Sequence, residues 1–547
     1  MTSQSRSAPS LSGRALLLAA ATVGLLLTAL PPGAAAKNET GESGTASTPD
    51  SSDDSDDRTP SAEQLLRRAD GIVSRVAKIR GLPPKRPIQK GVKSRDELRK
   101  ILVKKLRQEK SDRQLRREAQ VYRKLGLLPP DLNYREALLD VLTEQVAGFY
   151  DEKKDRLNIM AGMPLSMQRP ALAHEILHAL QDQHFDLRRL MKPFDATENG
   201  DFSLARSALV EGDATVLMID YYLHRDGTLP RNDVDSVVEI PAMAQMLRRM
   251  NYQNMSALQQ LSTSVGGGGS GANPSRLKNS ALSEAPAIIR RGLIFPYFAG
   301  MDFVIAMRKG RSWSDFDQIY RNPPVSTEQI LHPRRYARGD YPVHLTYRAR
   351  SSLPTEQYRR IYDNVLGEFQ LRLFLEHHLG GGDRSTADSP TESVDVDRAT
   401  TGWDGDRIRA FRRKTDGRVV VTHLSTWDTR RDAGEYYNAL VAVAKRRFPG
   451  AAVHNERGEH GASTCLYVEN ATSSARPSPQ RIYIERWGDA VLQIEGTPAD
   501  RGADGAERNG TTYRLRDEIW KTKQRRPFLE VLEDERKEEA DREKDEG

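Results

Sequence analysis

Two hydrophobic periods run along this chain, and the change from one to the other divides it. From about residue 61 to 378 apolar positions recur every three to four residues; beyond about 399 they fall into short strand-like runs. In the first part, Leu172, Ile176, Leu177 and Leu180 make a stripe wide enough for burial, with Pro170 suited to a first-turn position. Residues 207–219 predict a second buried helix. Its Glu211-Gly212 pair is odd there, since glycine costs about 1 kcal/mol relative to alanine in a helix interior, and close approach of another backbone is the reason the sequence suggests. Residues 134–147 predict a helix leading into two short strands around a polar turn over 148–160. Residues 290–308 are the most apolar run after the first thirty residues and predict a core helix. Ser326, Thr327, Glu328 and Gln329 can cap and open a short helix that Pro333 ends just past His332.

In the second part, 407–411, 418–424, 451–456, 463–469, 481–487 and 491–496 read as strands, with an amphipathic helix over 428–448 among them. The fold expected is α+β: a mostly helical domain with a small sheet over 126–378, a linker over 379–398, and a smaller C-terminal α+β domain over 399–525, followed by a charged tail over 526–547. A Gly/Ser-rich stretch at 262–275 predicts a flexible loop within the first domain.

Composition refines this picture. Arg6 and Arg14 precede an uncharged apolar run over 15–30 and small residues up to Ala36, the pattern of a secretory signal peptide cleaved after Ala36. The run is short for a spanning helix, so membrane contact is expected only if it stays uncleaved. Residues 37–60 read as a disordered acidic linker. Residues 61–125 carry 21 Lys/Arg against 7 Asp/Glu, which predicts solvated helix faces packed on the domain that follows, or attraction to an anionic cell-wall polymer. Nucleic acid is not expected as a partner, because export separates the chain from it and no aromatic-interleaved basic motif occurs. The single cysteine, Cys465, cannot form an internal disulfide and excludes cysteine-ligated structural zinc; its apolar run predicts a buried, inert thiol. The Gly/Asp-rich residues 401–407 lack calcium-loop spacing and predict a tight turn.

The chemistry lies in His174-Glu175-Ile176-Leu177-His178, an H-E-x-x-H pattern. On a helix the two histidines are one turn apart on one face and can bind one metal ion, while Glu175 is placed to take a proton from a metal-bound water. Catalytic zinc needs a third protein ligand and an open position. Glu211 is the candidate, because a carboxylate in so apolar a surround needs a partner. Asp213 competes with it and is preferred as a carboxylate behind the ligands. Asp182, four residues after His178, either accepts the other N–H of a ligand histidine or is an ordinary helix-end carboxylate. His332 and Tyr336 are candidate donors to an oxyanion, or simply packed side chains. His184, His377 and His378 are expected to be structural.

These residues carry a resemblance. The segments AHEILHALQDQHFDL (173–187) and ALVEGDAT (208–215) resemble gluzincin zinc metallopeptidases, in which H-E-x-x-H is followed on a later helix by a glutamate ligand. They look like those of a group of secreted bacterial metallopeptidase-like proteins, with which residues 322–336 also share a likeness. The 32 residues between His178 and Glu211 exceed the thermolysin-like spacing. The resemblance implies a zincin-like domain, Zn²⁺ on His174, His178 and Glu211, and a secreted peptidase acting on peptides or proteins with Glu175 as general base. The alternatives are a catalytically inactive zincin-fold binding protein at the cell surface, or a cell-wall peptide or amide hydrolase.

Overall fold

The computed structural model describes residues 62–146, 148–160, 165–191, 199–226, 236–249, 281–380, 394–458, 461–468, 479–498 and 510–546. The expected signal peptide, the acidic linker and the Gly/Ser loop lie outside the described residues.

The chain opens with α1 (Ala62–Arg80), β1 (Gln89–Lys93), α2 (Arg95–Glu109) and α3 (Asp112–Lys124). Capping boxes start the last two helices: Ser94 with Glu97, and Ser111 with Gln114, each satisfying two backbone N–H groups. Next come α4 (Tyr134–Gln145) and the hairpin β2 (Gly148–Asp151) and β3 (Arg156–Met160). Asp155 closes the hairpin at φ 52°, a left-handed conformation that aspartate tolerates. β1 adds parallel to β3 and β2 pairs antiparallel to it, so the sheet order β1-β3-β2 leaves β2 at an edge.

Residues 62–125 are therefore built into the first domain. They supply a strand, and Ala69, Ile72 and Val76 of α1 share a core with Leu172, Ile176, Leu177 and Leu180. Several of their cations are paired, as in Arg99 with Glu136 and Asp140 of α4, and Lys110 with the buried Glu118 of α3. These are packed helix faces, the first of the two readings.

The histidine-bearing helix is α5 (Leu165–Phe185), followed by α6 (Gly200–Asp226) and α7 (Ala287–Arg308). Pro170 lies inside α5, not in its first turn, because the helix starts five residues earlier. The predicted core helix is α7, largely buried. α8 (Thr327–Leu331) and α9 (Pro333–Arg338) flank His332, with Ser326 capping α8 as the sequence suggests.

The strands β4 (Val343–Thr346) and β5 (Tyr358–Asn364), then α10 (Gly367–Leu379), precede the C-terminal run. That run comprises β6 (Trp403–Arg413), β7 (Val419–Trp427), α11 (Arg430–Arg447), β8 (Ala452–Gly458), β9 (Gly461–Val468), β10 (Gln480–Trp487) and β11 (Ala490–Pro498). The seven-stranded sheet has the order β5-β6-β7-β11-β10-β9-β8, every pairing antiparallel. Side chains alternate across it: Val421, Ile482, Ile484 and Val491 enter the large core shared with the helices, while Val420, Tyr483 and Leu492 face a second core with Leu515 and Ile519.

Two expected boundaries change. β5 joins this sheet from before the predicted linker, because the ladder to β6 places it there, whereas its polar sequence carries little strand signal. The charged tail also returns. After α12 (Thr511–Thr522), β12 (Gln524–Pro527) pairs with β4, and α13 (Phe528–Glu546) buries Phe528 and Leu532 against Phe202 and Val325. Cys465 is half-buried in β9, less enclosed than expected. The Asp406 carboxylate accepts from the Leu366 and Gly367 N–H groups and Trp403 Nε1, a structural tie between β6 and the start of α10. No described helix is long and apolar enough to cross a membrane.

Candidate metal centre

Three helices build the cluster. α5 carries His174 and His178, one turn apart. α6 packs on it and carries Glu211. α7 crosses α6 at two glycines: a Cβ on Gly212 would stand 2.2 Å from the Gly300 carbonyl carbon, and one on Gly300 would stand 2.0 Å from the Ala208 oxygen. Only two glycines permit that crossing, which accounts for the helix-breaking residue beside Glu211. One turn before Gly300, Tyr297 stacks on the His174 ring at 6.0 Å between centroids.

The three polar atoms converge. His174 Nε2 is 3.0 Å from Glu211 Oε2, His178 Nε2 is 3.3 Å from the same oxygen, and the two nitrogens are 3.1 Å apart. All three side chains are buried, and among the described residues they form the one group of His, Cys, Asp or Glu side chains that could hold a metal ion. Two imidazole nitrogens and a carboxylate oxygen at such spacing need a positive centre between them, a proton or a metal ion.

The groups of the cluster polarise one another. Burial opposes charge on His178, but Glu211, Glu175 and the Gln181 amide outweigh it and hold the imidazole up to about 9. Burial likewise opposes charge on Glu211, yet His178 and His174 hold its carboxyl down to about 2. Burial lowers His174. Burial also pushes Glu175 up to about 8, with Glu211 adding to the effect. Glu175 Oε2 accepts the Tyr150 N–H of edge strand β2 at 3.0 Å, and its buried Oε1 has no hydrogen-bond partner among the described residues.

The other expected residues lie as follows. Asp182 touches neither ligand histidine: it accepts from the Tyr150 hydroxyl at 2.8 Å and the Leu187 N–H at 3.1 Å, the helix-end role. The group over the His178 ring is Gln181, three residues on instead of four, whose Oε1 is 2.8 Å from Nδ1. Asp213 is not a ligand. It stands behind Gln181, accepting from its Nε2 at 2.9 Å and from the Tyr320 hydroxyl at 2.7 Å. His332 pairs with the buried Glu368 at 2.9 Å, and Tyr336 donates to the Asn322 carbonyl and packs edge-on against Phe303. Neither contacts the three converging side chains; both knit α8 and α9 to the core. His184, His377 and His378 bond the carbonyls of Pro83, Gly126 and Leu125, as structural residues do.

Sequence reasoning missed Gln181 and Tyr297. The spacing of three from His178 was a usable signal for the first. Nothing local marks Tyr297, which reaches the cluster only through the crossing of α6 and α7.

Compared with known proteins, residues 356–507 match a family described as a domain of unknown function (DUF8575). This segment spans the seven-stranded sheet from β5 through β11, and it excludes His174, His178 and Glu211. No curated protein and no solved structure matches the chain.

Proposed function

We propose that the chain is an exported, zinc-dependent peptidase of gluzincin type with a zincin-like catalytic domain. The carrying observation is the His174–His178–Glu211 geometry. Tetrahedral zinc with bonds of about 2.0–2.1 Å sets its ligand atoms roughly 3.3 Å apart, and the separations here are 3.0, 3.1 and 3.3 Å. Two imidazoles and one carboxylate are a donor set suited to zinc. When bound, zinc supplies a Lewis acid for the scissile carbonyl and lowers the pKa of a coordinated water.

The remaining chemistry belongs to the chain. Glu175, raised toward neutrality by burial, takes a proton on its unpartnered Oε1 from the attacking water and delivers it to the leaving amine. The Tyr150 N–H holds the other carboxylate oxygen and so orients it. Edge strand β2 leaves a backbone on which an extended peptide can pair. Export rests on residues 1–36, and exposed cations such as Lys100, Lys104, Arg107, Arg113 and Arg116 make an anionic wall polymer a partner to test.

One observation favours the non-catalytic alternative: His174, Glu175, His178 and Glu211 are between 0% and 4% exposed. A single experiment separates the readings. Metal content is measured on the full chain and on Glu211→Ala, then turnover on a peptide library beside wall-peptide fragments. Near-stoichiometric zinc, lost in the variant, with turnover supports the peptidase, and the preferred library gives the substrate class. Zinc without turnover favours the binding protein. No zinc after reconstitution overturns the proposal.

A further inference from the structure

The hydrogen bonds behind His178 run in one direction only and end on a residue from the far side of the sequence. Arg80, at the end of α1, is fully buried, and its guanidinium donates to both oxygens of Asp213, Nε to Oδ1 at 2.8 Å and Nη2 to Oδ2 at 3.1 Å. Nη2 also donates to Asp317 at 2.7 Å, and the plane lies 4.2 Å from the centre of the Trp313 ring. Asp213, so paired, is an acceptor only. Three acceptors therefore surround one end of the Gln181 amide: Asp213 Oδ2 at 2.9 Å, the Tyr320 hydroxyl oxygen at 2.8 Å, which itself donates to Asp213, and the Val210 carbonyl at 3.2 Å. That end must be the NH₂, because the flipped amide would set its oxygen against all three. The Gln181 oxygen then faces His178 Nδ1, which must carry a proton to donate to it, and in the neutral ring Nε2 is left as the metal-facing lone pair.

We propose that Arg80 is a positioning residue of the metal centre: through Asp213 and Gln181 it fixes the ring orientation and tautomer of His178. This rests on the metal reading above and adds to it a dependence on the N-terminal segment. Arg80 reaches Asp213 across 133 positions of sequence. Helix α1 thus supplies the last link of the site, and its removal disables metal binding.

The test uses the full chain and Co²⁺ as the probe, whose visible bands report coordination geometry. Wild type, Arg80→Met, Arg80→Lys and Gln181→Met are compared for Co²⁺ dissociation constant, band positions and the exchangeable ring N–H signal of His178. Circular dichroism of the metal-free forms checks that each is folded. Loss of a group that orients a metal ligand costs roughly ten- to a hundredfold in affinity. That loss is expected in Arg80→Met and in Gln181→Met, with shifted bands and a rapidly exchanging His178 N–H, and with partial recovery in Arg80→Lys. Gln181→Met leaves the Arg80–Asp213 pair intact, so it decides the question if Arg80→Met does not fold. Wild-type affinity, bands and N–H exchange in a folded Gln181→Met overturn the inference while leaving the metal reading standing. A wild-type protein that binds no Co²⁺ or Zn²⁺ overturns both.

Discussion

On the proposed zinc reading, removing the metal and following its return across pH probes the cluster most directly. Without metal, a proton takes the ion's place: His178 is held up to about 9, against an ordinary value of 6.5, by the carboxylates of Glu211 and Glu175 and the Gln181 amide, which together overcome burial. Zinc must displace that proton. At pH 7, below that value, most His178 carries its proton, so the apparent affinity is lowered by an amount on the order of a hundredfold. Affinity is therefore expected to rise about tenfold per pH unit from 7 to 9 and then level off, with about one proton released per zinc at pH 7. The signs for stability agree. The His178 contribution is whole below its unfolded value of 6.5 and disappears as pH rises through about 9. Glu175, raised from 4.5 to about 8, costs stability increasingly across that interval. Glu211, held from 4.5 down to about 2, contributes above 4.5 and loses its share only as pH falls toward 2. Chelation should thus lower the denaturant midpoint more at pH 8.5 than at pH 6. Calorimetry in buffers of different ionisation enthalpy measures the proton release. Flat affinity from pH 6.5 to 9, or zinc uptake without proton release, would refute the picture of a charged His178–Glu211 pair awaiting a cation.

Three further predictions follow from the geometry. Gly300→Ala puts a methyl 2.0 Å from the Ala208 oxygen and 3.0 Å from Gly212 Cα, so α6 and α7 must part. Overpacking of this kind costs about 1–3 kcal/mol, read as a lower urea midpoint, and an unchanged midpoint would contradict the crossing. On the proposed peptidase reading, Glu175→Gln retains zinc while the rate of peptide hydrolysis falls roughly a hundred- to ten-thousandfold, and full activity would remove Glu175 from the proton transfer. Deleting residues 62–93 strips α1 and β1 from the core around Leu172, Ile176 and Leu180, so the product should be insoluble or unfolded by circular dichroism. A soluble, zinc-loaded deletion product would show the segment to be dispensable.

How far the chain could be read in advance depended on whether the interaction was local. The strand runs beyond residue 400 and the helix among them correspond to β6 to β11 and α11, because a period of two or 3.6 is written into neighbouring residues. β5 was not legible, since Tyr358–Asn364 is mostly polar and becomes a strand by pairing with β6. In the site, the glycine next to Glu211 signalled a close backbone, but its partner Gly300 could not be named from sequence. Asp182 was the natural guess for the group behind His178, yet a spacing of three, not four, put Gln181 over the ring. The capped segment around His332 formed the short helix its residues ask for, and the fold then turned it toward Glu368 and away from the metal ligands.

By itself, then, the sequence determined the parts whose geometry is set within one or two turns: two histidines on one helical face, a glutamate beside the first, and a buried carboxylate on a later helix. The tertiary structure decided that Glu211 meets both imidazoles within 3.3 Å, that Tyr297 stacks on His174, and that Arg80 anchors the far end of the network. The physical reason is that periodicity constrains only neighbours along one element. Contacts made where separate helices cross depend on packing shape and on which buried charges find partners, and those are properties of the assembled core.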